Sequence, residues 1–75
     1  MAQFKVHNST DCALTVRFEP SGMEHDIPST DHVVVGWPDD ESPILGFIEV
    51  GDGELVIEGP VGLRAWHSSG QELDT

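Results

Sequence analysis

Several residue types are scarce in this sequence, and each scarcity excludes a class of protein. The 75 residues include one cysteine, Cys12, which excludes an intrachain disulfide framework and favours a reducing compartment. No stretch approaches the roughly 20 apolar residues that cross a bilayer. The first residues also lack the basic and apolar regions of a signal peptide. We therefore expect a cytoplasmic protein that does not bind a membrane.

Positively charged residues are also scarce. Three Lys and Arg stand against 14 Asp and Glu, which gives a net charge of −11. Such a chain is repelled by phosphate backbones, so we do not expect it to bind nucleic acid. The acidity is typical of a solvated surface, and the alternative is a surface that recognises a basic protein. The spread of the carboxylates along the chain, with one run at Asp39-Asp40-Glu41, favours the first interpretation.

Turn-forming residues recur about every 8 to 12 positions, which is the spacing expected of a small sandwich or barrel. Between the turns apolar and polar residues alternate, as in residues 14–19, and no stretch has helical periodicity. We predict one all-β domain over residues 1–75. Its expected architecture is a small antiparallel β-sandwich or partly open barrel of six to seven short strands.

The dipeptide Asp52-Gly53 predicts a hairpin with a two-residue type I′ loop, because Asp-Gly tolerates the positive φ values of that turn. A three-residue loop at residues 59–61 extends the same apolar face to a third strand, which predicts a C-terminal three-strand meander from about residue 44 to 68. The expected pairs in the hairpin are Gly51 with Glu54, Val50 with Leu55, and Ile48 with Ile57. The expected core consists of Phe4, Val6, Leu14, Val16, Phe18, Ile27, Val33, Val35, Ile48, Val50, Leu55, Ile57, Leu63 and Ala65.

The outer face of this meander is the candidate binding surface. Phe47, Val56 and Trp66 would form an apolar patch rimmed by charge, which is typical of an interaction surface. The alternative is that a second sheet or a partner subunit covers them. Arg64 is expected to pair with Glu58 or Glu54 across the strands. Trp37, which precedes Pro38, is a further candidate anchor, although core packing is the favoured interpretation of its position.

No motif predicts catalysis, a metal or a cofactor. The motif Gly-x-Ser-x-Gly of serine hydrolases is missing. Cys12 is not followed closely by the His and Met that a copper site would need, and no spacing marks it as the partner of a catalytic histidine. The histidines His7, His25, His32 and His67 lack the spacing of a zinc site. The acidic run at residues 39–41 lacks the alternating ligands and central glycine of a calcium loop, and the flanking Pro38 and Pro43 indicate an exposed rigid loop.

The first 36 residues contain a series of turn and strand motifs. They are Asn8-Ser9-Thr10-Asp11, Leu14-Thr15-Val16, Glu19-Pro20-Ser21-Gly22 and Ile27-Pro28. This series resembles the opening of small bacterial β-sandwich proteins with no assigned function. The chain departs from them at Ser21, where an aromatic residue is frequent, and at Pro28-Ser29, where Pro-Gly is expected. The resemblance implies the fold and no activity.

These observations predict a non-catalytic acidic interaction module that binds a protein partner or a second copy of itself. Its expected surface surrounds Phe47, Arg64 and Trp66. One alternative is an acidic decoy that binds a basic protein by imitating nucleic acid. The other is a small-ligand or metal binder that uses the histidines.

Overall fold

The computed structural model describes residues 2–39 and 46–75, and over these ranges the chain is all-β. The strands are β1 (Ala2–His7), β2 (Leu14–Glu19), β3 (Met23–Ile27), β4 (His32–Trp37), β5 (Phe47–Gly51), β6 (Glu54–Glu58), β7 (Arg64–His67) and β8 (Glu72–Leu73). Sheet 1 has the order β1-β4-β7-β8, and sheet 2 has the order β3-β2-β6-β5. The predicted all-β fold is confirmed as a sandwich of two four-stranded sheets that do not close into a barrel. No described segment is a helix of the length and apolarity that crossing a membrane requires.

Alternation along the strands produces the core between the two sheets. In β2, Val16 and Phe18 are fully buried, and Val33 and Val35 of β4 meet them from sheet 1. Each such side chain contributes about 1.5–3 kcal/mol by leaving water. The predicted core residues that are buried or packed against the core are Phe4, Val6, Leu14, Val16, Phe18, Ile27, Val33, Val35, Leu55, Ile57, Leu63 and Ala65.

The predicted hairpin register at Asp52-Gly53 is confirmed. The observed pairs are Gly51 with Glu54, Val50 with Leu55, and Ile48 with Ile57. The turn type differs from the prediction, because type I′ needs positive φ at both central residues. Gly53 has φ 66°, whereas Asp52 is outside the positive region. One left-handed residue at the second central position is therefore enough to close this loop.

The prediction of a three-strand meander is wrong beyond the hairpin. β7 pairs with β4 in sheet 1, where Ala65 lies opposite Val35, and does not continue sheet 2. The second neighbour of β6 is β2, which lies parallel to it with Val16 opposite Leu55. Burial of Leu63 and Ala65 is the same in either arrangement, so the apolar pattern that predicted the meander does not distinguish the two sheets. The fold thus contains one parallel strand pair among the described residues, together with an eighth short strand, β8.

Two predicted core residues are exposed. Ile48 is 51% and Val50 is 78% exposed, because among the described residues sheet 1 does not cover the inner side of β5. Leu73 was not expected in the core and is 8% exposed. Val56 was expected in an exposed apolar patch, but it is only 9% exposed on the outer side of sheet 2 because its neighbours in the sheet cover it. Of the predicted strand at residues 44–50, the first two residues lie outside the described ranges, as do Pro43 and most of the acidic run at 39–41.

Asn8 is the buried polar residue that holds the loop between β1 and β2. Its Nδ2 donates to the carbonyl oxygens of Cys12 at 2.8 Å and Ile27 at 2.9 Å. Its Oδ1 accepts from the backbone N–H of Thr10 at 3.0 Å and from the Thr10 hydroxyl at 2.6 Å. The side chain is therefore fully paired, as a buried amide must be. It ties the β1–β2 loop to the end of β3.

Candidate functional site

The residues predicted to form one binding surface lie in three different places. Phe47 and Val56 lie on the outer face of sheet 2, whereas Arg64 and Trp66 lie on the outer face of sheet 1. Trp37 packs against the core at one end of the sandwich. The prediction that Phe47, Arg64 and Trp66 share a face is wrong, because β7 belongs to the other sheet.

Arg64 and Trp66 form a paired cluster with Glu72 on the outer face of sheet 1. Arg64 donates from Nε at 2.9 Å and from Nη2 at 2.7 Å to the two oxygens of Glu72, so it does not pair with Glu58 or Glu54 as predicted. The hydrogen bonds and charge of this pair raise the pKa of Arg64 and lower the pKa of Glu72. The guanidinium also lies 5.1 Å from the centre of the Trp66 ring. One face of the Trp66 ring is thus covered by Arg64, and the Arg64 cation is itself paired with Glu72.

Trp37 is half-buried at the end of β4 and packs against the core, which was the favoured interpretation. Its ring centre lies 6.1 Å from that of Phe4, and the pair packs against the buried cluster. A Cβ on Gly59 would lie 3.1 Å from both the Trp37 ring and the Leu63 side chain, so a larger residue there would require one of them to shift by a few tenths of an ångström. The indole Nε1 is buried and has no hydrogen-bond partner among residues 2–39 and 46–75.

The histidines are distributed over both sheets. His7 and His32 are cross-strand partners in sheet 1, and His67 lies opposite Val33. His25 is in sheet 2, where its Nε2 lies 2.7 Å from the carbonyl oxygen of Asp74. Within the described part of the chain, no three His, Cys, Asp or Glu side chains are grouped so that they could hold a metal ion.

Asp31 lies beside this histidine pair at one end of sheet 1. It accepts the His32 backbone N–H at 2.8 Å. A hydrogen bond from Ser68 and then that backbone N–H are the main causes that lower the pKa of Asp31. These bonds hold the turn before β4 and tie it to the turn after β7.

A cleft of about 600 Å³ lies between the turn after β2 and the loop before β7. Its lining offers one carboxylate and two hydroxyl groups beside apolar and glycine residues, so it contains no pairing of a nucleophile with a base. The lining residues are Glu19, Pro20, Ser21, Gly59, Pro60, Val61, Gly62, Leu63 and Thr75.

The outer face of sheet 2 is strongly acidic. The strand register places one cation, Arg17, among carboxylates contributed by all four strands. Arg17 donates from Nη1 to Glu54 at 2.6 Å. Its buried Nε lies 2.9 Å from Glu19 but is not aligned for a hydrogen bond, so that contact is an ion pair only. The carboxylates of this face are Glu19, Glu24, Asp26, Glu49, Glu54 and Glu58.

Glu49 lies in the middle of the edge strand of this face. The register forms a row from Arg17 of β2 through Val56 of β6 to Glu49 of β5. Val56 is buried within this row, whereas Glu49 is exposed. No cation of the described residues lies within ion-pair distance of Glu49 or Glu58. The edge of the acidic face therefore remains uncompensated.

β5 also presents apolar side chains on both of its sides. Phe47 is 49% exposed on the outer face, and Ile48 and Val50 are exposed on the inner side. On one side β5 pairs with β6, and on the other side its edge is unpaired in the described part of the chain. We call Phe47, Ile48, Glu49 and Val50 the β5 edge. An unpaired strand edge with exposed apolar residues is a template for another strand.

The other sheet edges carry the features that prevent such pairing. β1 presents Gln3, Lys5 and His7 outward, and β3 presents Glu24 and Asp26. β8 is two residues long. Charge at an edge and a short edge strand both discourage the addition of a further strand. Glu49 places a charge on β5 as well, but among the described edges β5 alone exposes large apolar side chains on both of its sides. It is therefore the described edge that is most open to strand addition.

Comparison with protein-family models, curated proteins and solved structures gives no match to this chain. The arrangement of its own residues is thus the basis for a functional proposal. Of the β5 edge, the sequence predicted Phe47 as a surface residue but placed Ile48 and Val50 in the core. Their exposure depends on whether the facing sheet covers β5, and alternation along a strand contains no information on that coverage.

Proposed function

We propose that this protein is a non-catalytic interaction module that accepts an extended segment of a partner protein as an additional strand beside β5. The observation that carries the proposal is the exposure of Phe47, Ile48 and Val50 along a strand edge that is unpaired in the described ranges. Strand addition satisfies the free backbone groups of such an edge and covers its side chains at the same time.

The rest of sheet 2 supports this role by holding β5 in place. β5 pairs along its length with β6, and β6 is fixed by the fully buried Ile57 and by its parallel pairing with β2. A partner would therefore meet a preformed edge and would lose little free energy to ordering it. Each added backbone hydrogen bond contributes about 0.5–1.5 kcal/mol, so a short segment should bind with a dissociation constant on the order of micromolar to millimolar.

The proposal can be tested with three peptides of about nine residues that share alternating valines. Their intervening residues are all Lys, all Ser or all Glu. Each peptide is titrated into the isotopically labelled full chain, and the amide signals and hydrogen exchange of β5 are followed by NMR. We expect at least one peptide to shift and protect the β5 amides while the amides of β1, β3 and β8 stay unchanged.

A matched pair of variants assigns the contact to the β5 edge. Val50→Ser removes an apolar group from β5, and Val61→Ser makes the same change at a fully exposed valine in the loop before β7. We expect Val50→Ser to weaken the best peptide about fivefold and Val61→Ser to leave it unchanged. The proposal is wrong if none of the three peptides affects β5 at about 1 mM, or if the two variants weaken binding equally.

The acidic decoy remains the second candidate function, because the carboxylates of sheet 2 cover a whole sheet face. In that case a basic protein would bind across the face, and the apolar residues of β5 would not contribute. Binding would then fall steeply with salt, and Val50→Ser would have no effect.

A further inference from the structure

We infer that the segment accepted by the β5 edge is basic on one side and apolar on the other. Its Lys or Arg side chains lie on the outer face of sheet 2 beside Glu49, and its apolar side chains lie beside Ile48 and Val50. This inference rests on the proposed function, and it adds the chemistry of the partner.

The alternation of a β-strand determines which partner residues meet which side of the edge. A residue of the added strand that lies opposite Glu49 points to the same face of the sheet as Glu49 does. Its two neighbours point to the inner side, where they contact Ile48 and Val50. The partner sequence must therefore alternate between one residue type for the outer face and another for the inner side.

The charge of the outer face selects the first residue type. Glu49 is exposed and has no ion-pair partner in the described ranges, and Glu58 lies beside Phe47 on the same face. Arg17, the cation of this face, is already held by Glu54 and Glu19. A carboxylate opposite Glu49 would be repelled, and a cation there would form a cross-strand pair.

A second copy of this chain is a poorer occupant. Two β5 edges placed side by side would join two acidic outer faces, and each chain carries a net charge of −11. β1 has the complementary order Phe4, Lys5, Val6, but Phe4 and Val6 already pack into the core of their own chain. The charge balance thus favours a different, basic protein.

The three peptides of the proposed function also test this inference. At an ionic strength of about 0.05 M, we expect the Lys peptide to bind the β5 edge at least tenfold more tightly than the Glu peptide, with the Ser peptide between them. Raising the salt to about 0.5 M should reduce this preference several-fold, because the charges are exposed.

Two charge reversals on the outer face of sheet 2 test whether the Lys peptide pairs with Glu49 or is attracted by the acidic face as a whole. Glu49→Lys changes the β5 edge, and Glu24→Lys makes the same change on β3, at the opposite edge of sheet 2. Both residues are exposed and outside the ion pairs of the described ranges, so both variants should fold, with Glu24→Lys slightly less stable because position 24 lies opposite Arg17. We expect Glu49→Lys to weaken the Lys peptide about fivefold or more, and Glu24→Lys to weaken it less than about twofold.

The possible outcomes distinguish the inference from the proposed function. If all three peptides protect β5 equally, or if Glu24→Lys matches Glu49→Lys, the inference is wrong and strand addition stands. If no peptide protects β5, both are wrong. Sedimentation of the chain alone should show a monomer. Association that Lys5→Glu abolishes and that the double variant Lys5→Glu, Glu49→Lys restores would identify a second copy as the occupant instead.

Discussion

In sheet 2, β2 and the stretch Ile48-Glu49-Val50 of β5 both alternate apolar with polar residues, but they differ strongly in burial. Val16 and Phe18 of β2 are fully buried, whereas Ile48 and Val50 of β5 are about half and three-quarters exposed. β2 has a neighbouring strand on each side, and β5 has β6 on one side. Alternation thus identifies the side chains that share a face, and coverage by the facing sheet decides whether that face is buried.

The charged side chains of the two strands differ in the same way. On the outer face of sheet 2, Arg17 of β2 is engaged by Glu19 and Glu54. Glu49, at the β5 end of the same row, has no such partner among the described residues. The apolar residues of β2 are therefore covered and its cation is paired, whereas the apolar residues and the carboxylate of β5 have no such contacts in the described ranges. This difference is the reason that we place the binding site at β5.

The largest expected effect comes from truncating one phenylalanine in each strand. Phe18→Ala in β2 leaves a cavity in the core and should cost about 3–5 kcal/mol, enough to unfold much of a small domain. Phe47→Ala in β5 should cost less than about 1 kcal/mol, because the ring is already half exposed. Denaturant unfolding of both variants measures the difference. Similar losses would mean that β5 is covered in solution, and the comparison of the two strands would no longer hold.

Much of the fold could be predicted from the sequence because its determinants are local. The turn residues at Asp52-Gly53 determine a register, and that register determines which of Leu55 and Val56 faces inward. Local residues do not determine which of the two sheets β7 joins. Leu63 and Ala65 are buried in either sheet, so the same alternation fits two different neighbours, and the structure realises the one that the sequence analysis did not choose.

The candidate site was predicted in part. Phe47 was expected at the surface, and it is. Arg64 and Trp66 were grouped with it by the wrong strand neighbour. Ile48 was placed in the core because it was expected to pair with Ile57. That pairing is correct and Ile57 is fully buried, but Ile48 itself is exposed. A correct local pair therefore led to a wrong burial, since coverage of an edge strand depends on the facing sheet.

A smaller effect is expected from removing the cation that saturates the centre of the acidic face. Arg17→Met keeps much of the length of the side chain but leaves Glu19 and Glu54 without their partner. It should lower the free energy of unfolding by about 1 kcal/mol at low salt and by less at high salt, because this side chain is about one-third exposed. Lys5→Met on the outer face of sheet 1 is the control, since it makes the same change in charge at a residue without an ion pair in the described ranges. Equal effects would mean that net charge, and not the Arg17 pairs, controls the stability.

The smallest expected effect concerns Glu72, a carboxylate that is paired where Glu49 is not. The hydrogen bonds from Arg64 lower the pKa of Glu72 in the folded protein. This contribution to stability is therefore present above the unfolded-state pKa, about 4.3, and is lost as the pH falls through the lower folded-state pKa.

Arg64→Met should raise the pKa of Glu72 toward its ordinary value and flatten the dependence of stability on pH below about 4.3. An NMR titration of the Glu72 carboxyl carbon measures the shift, with Lys5→Met as the control that preserves the pair. An unchanged Glu72 titration in Arg64→Met would show that the pair is not formed in solution. Trp66 would then present an open ring on sheet 1, and β5 would no longer differ from the opposite side of the sandwich in having unengaged side chains.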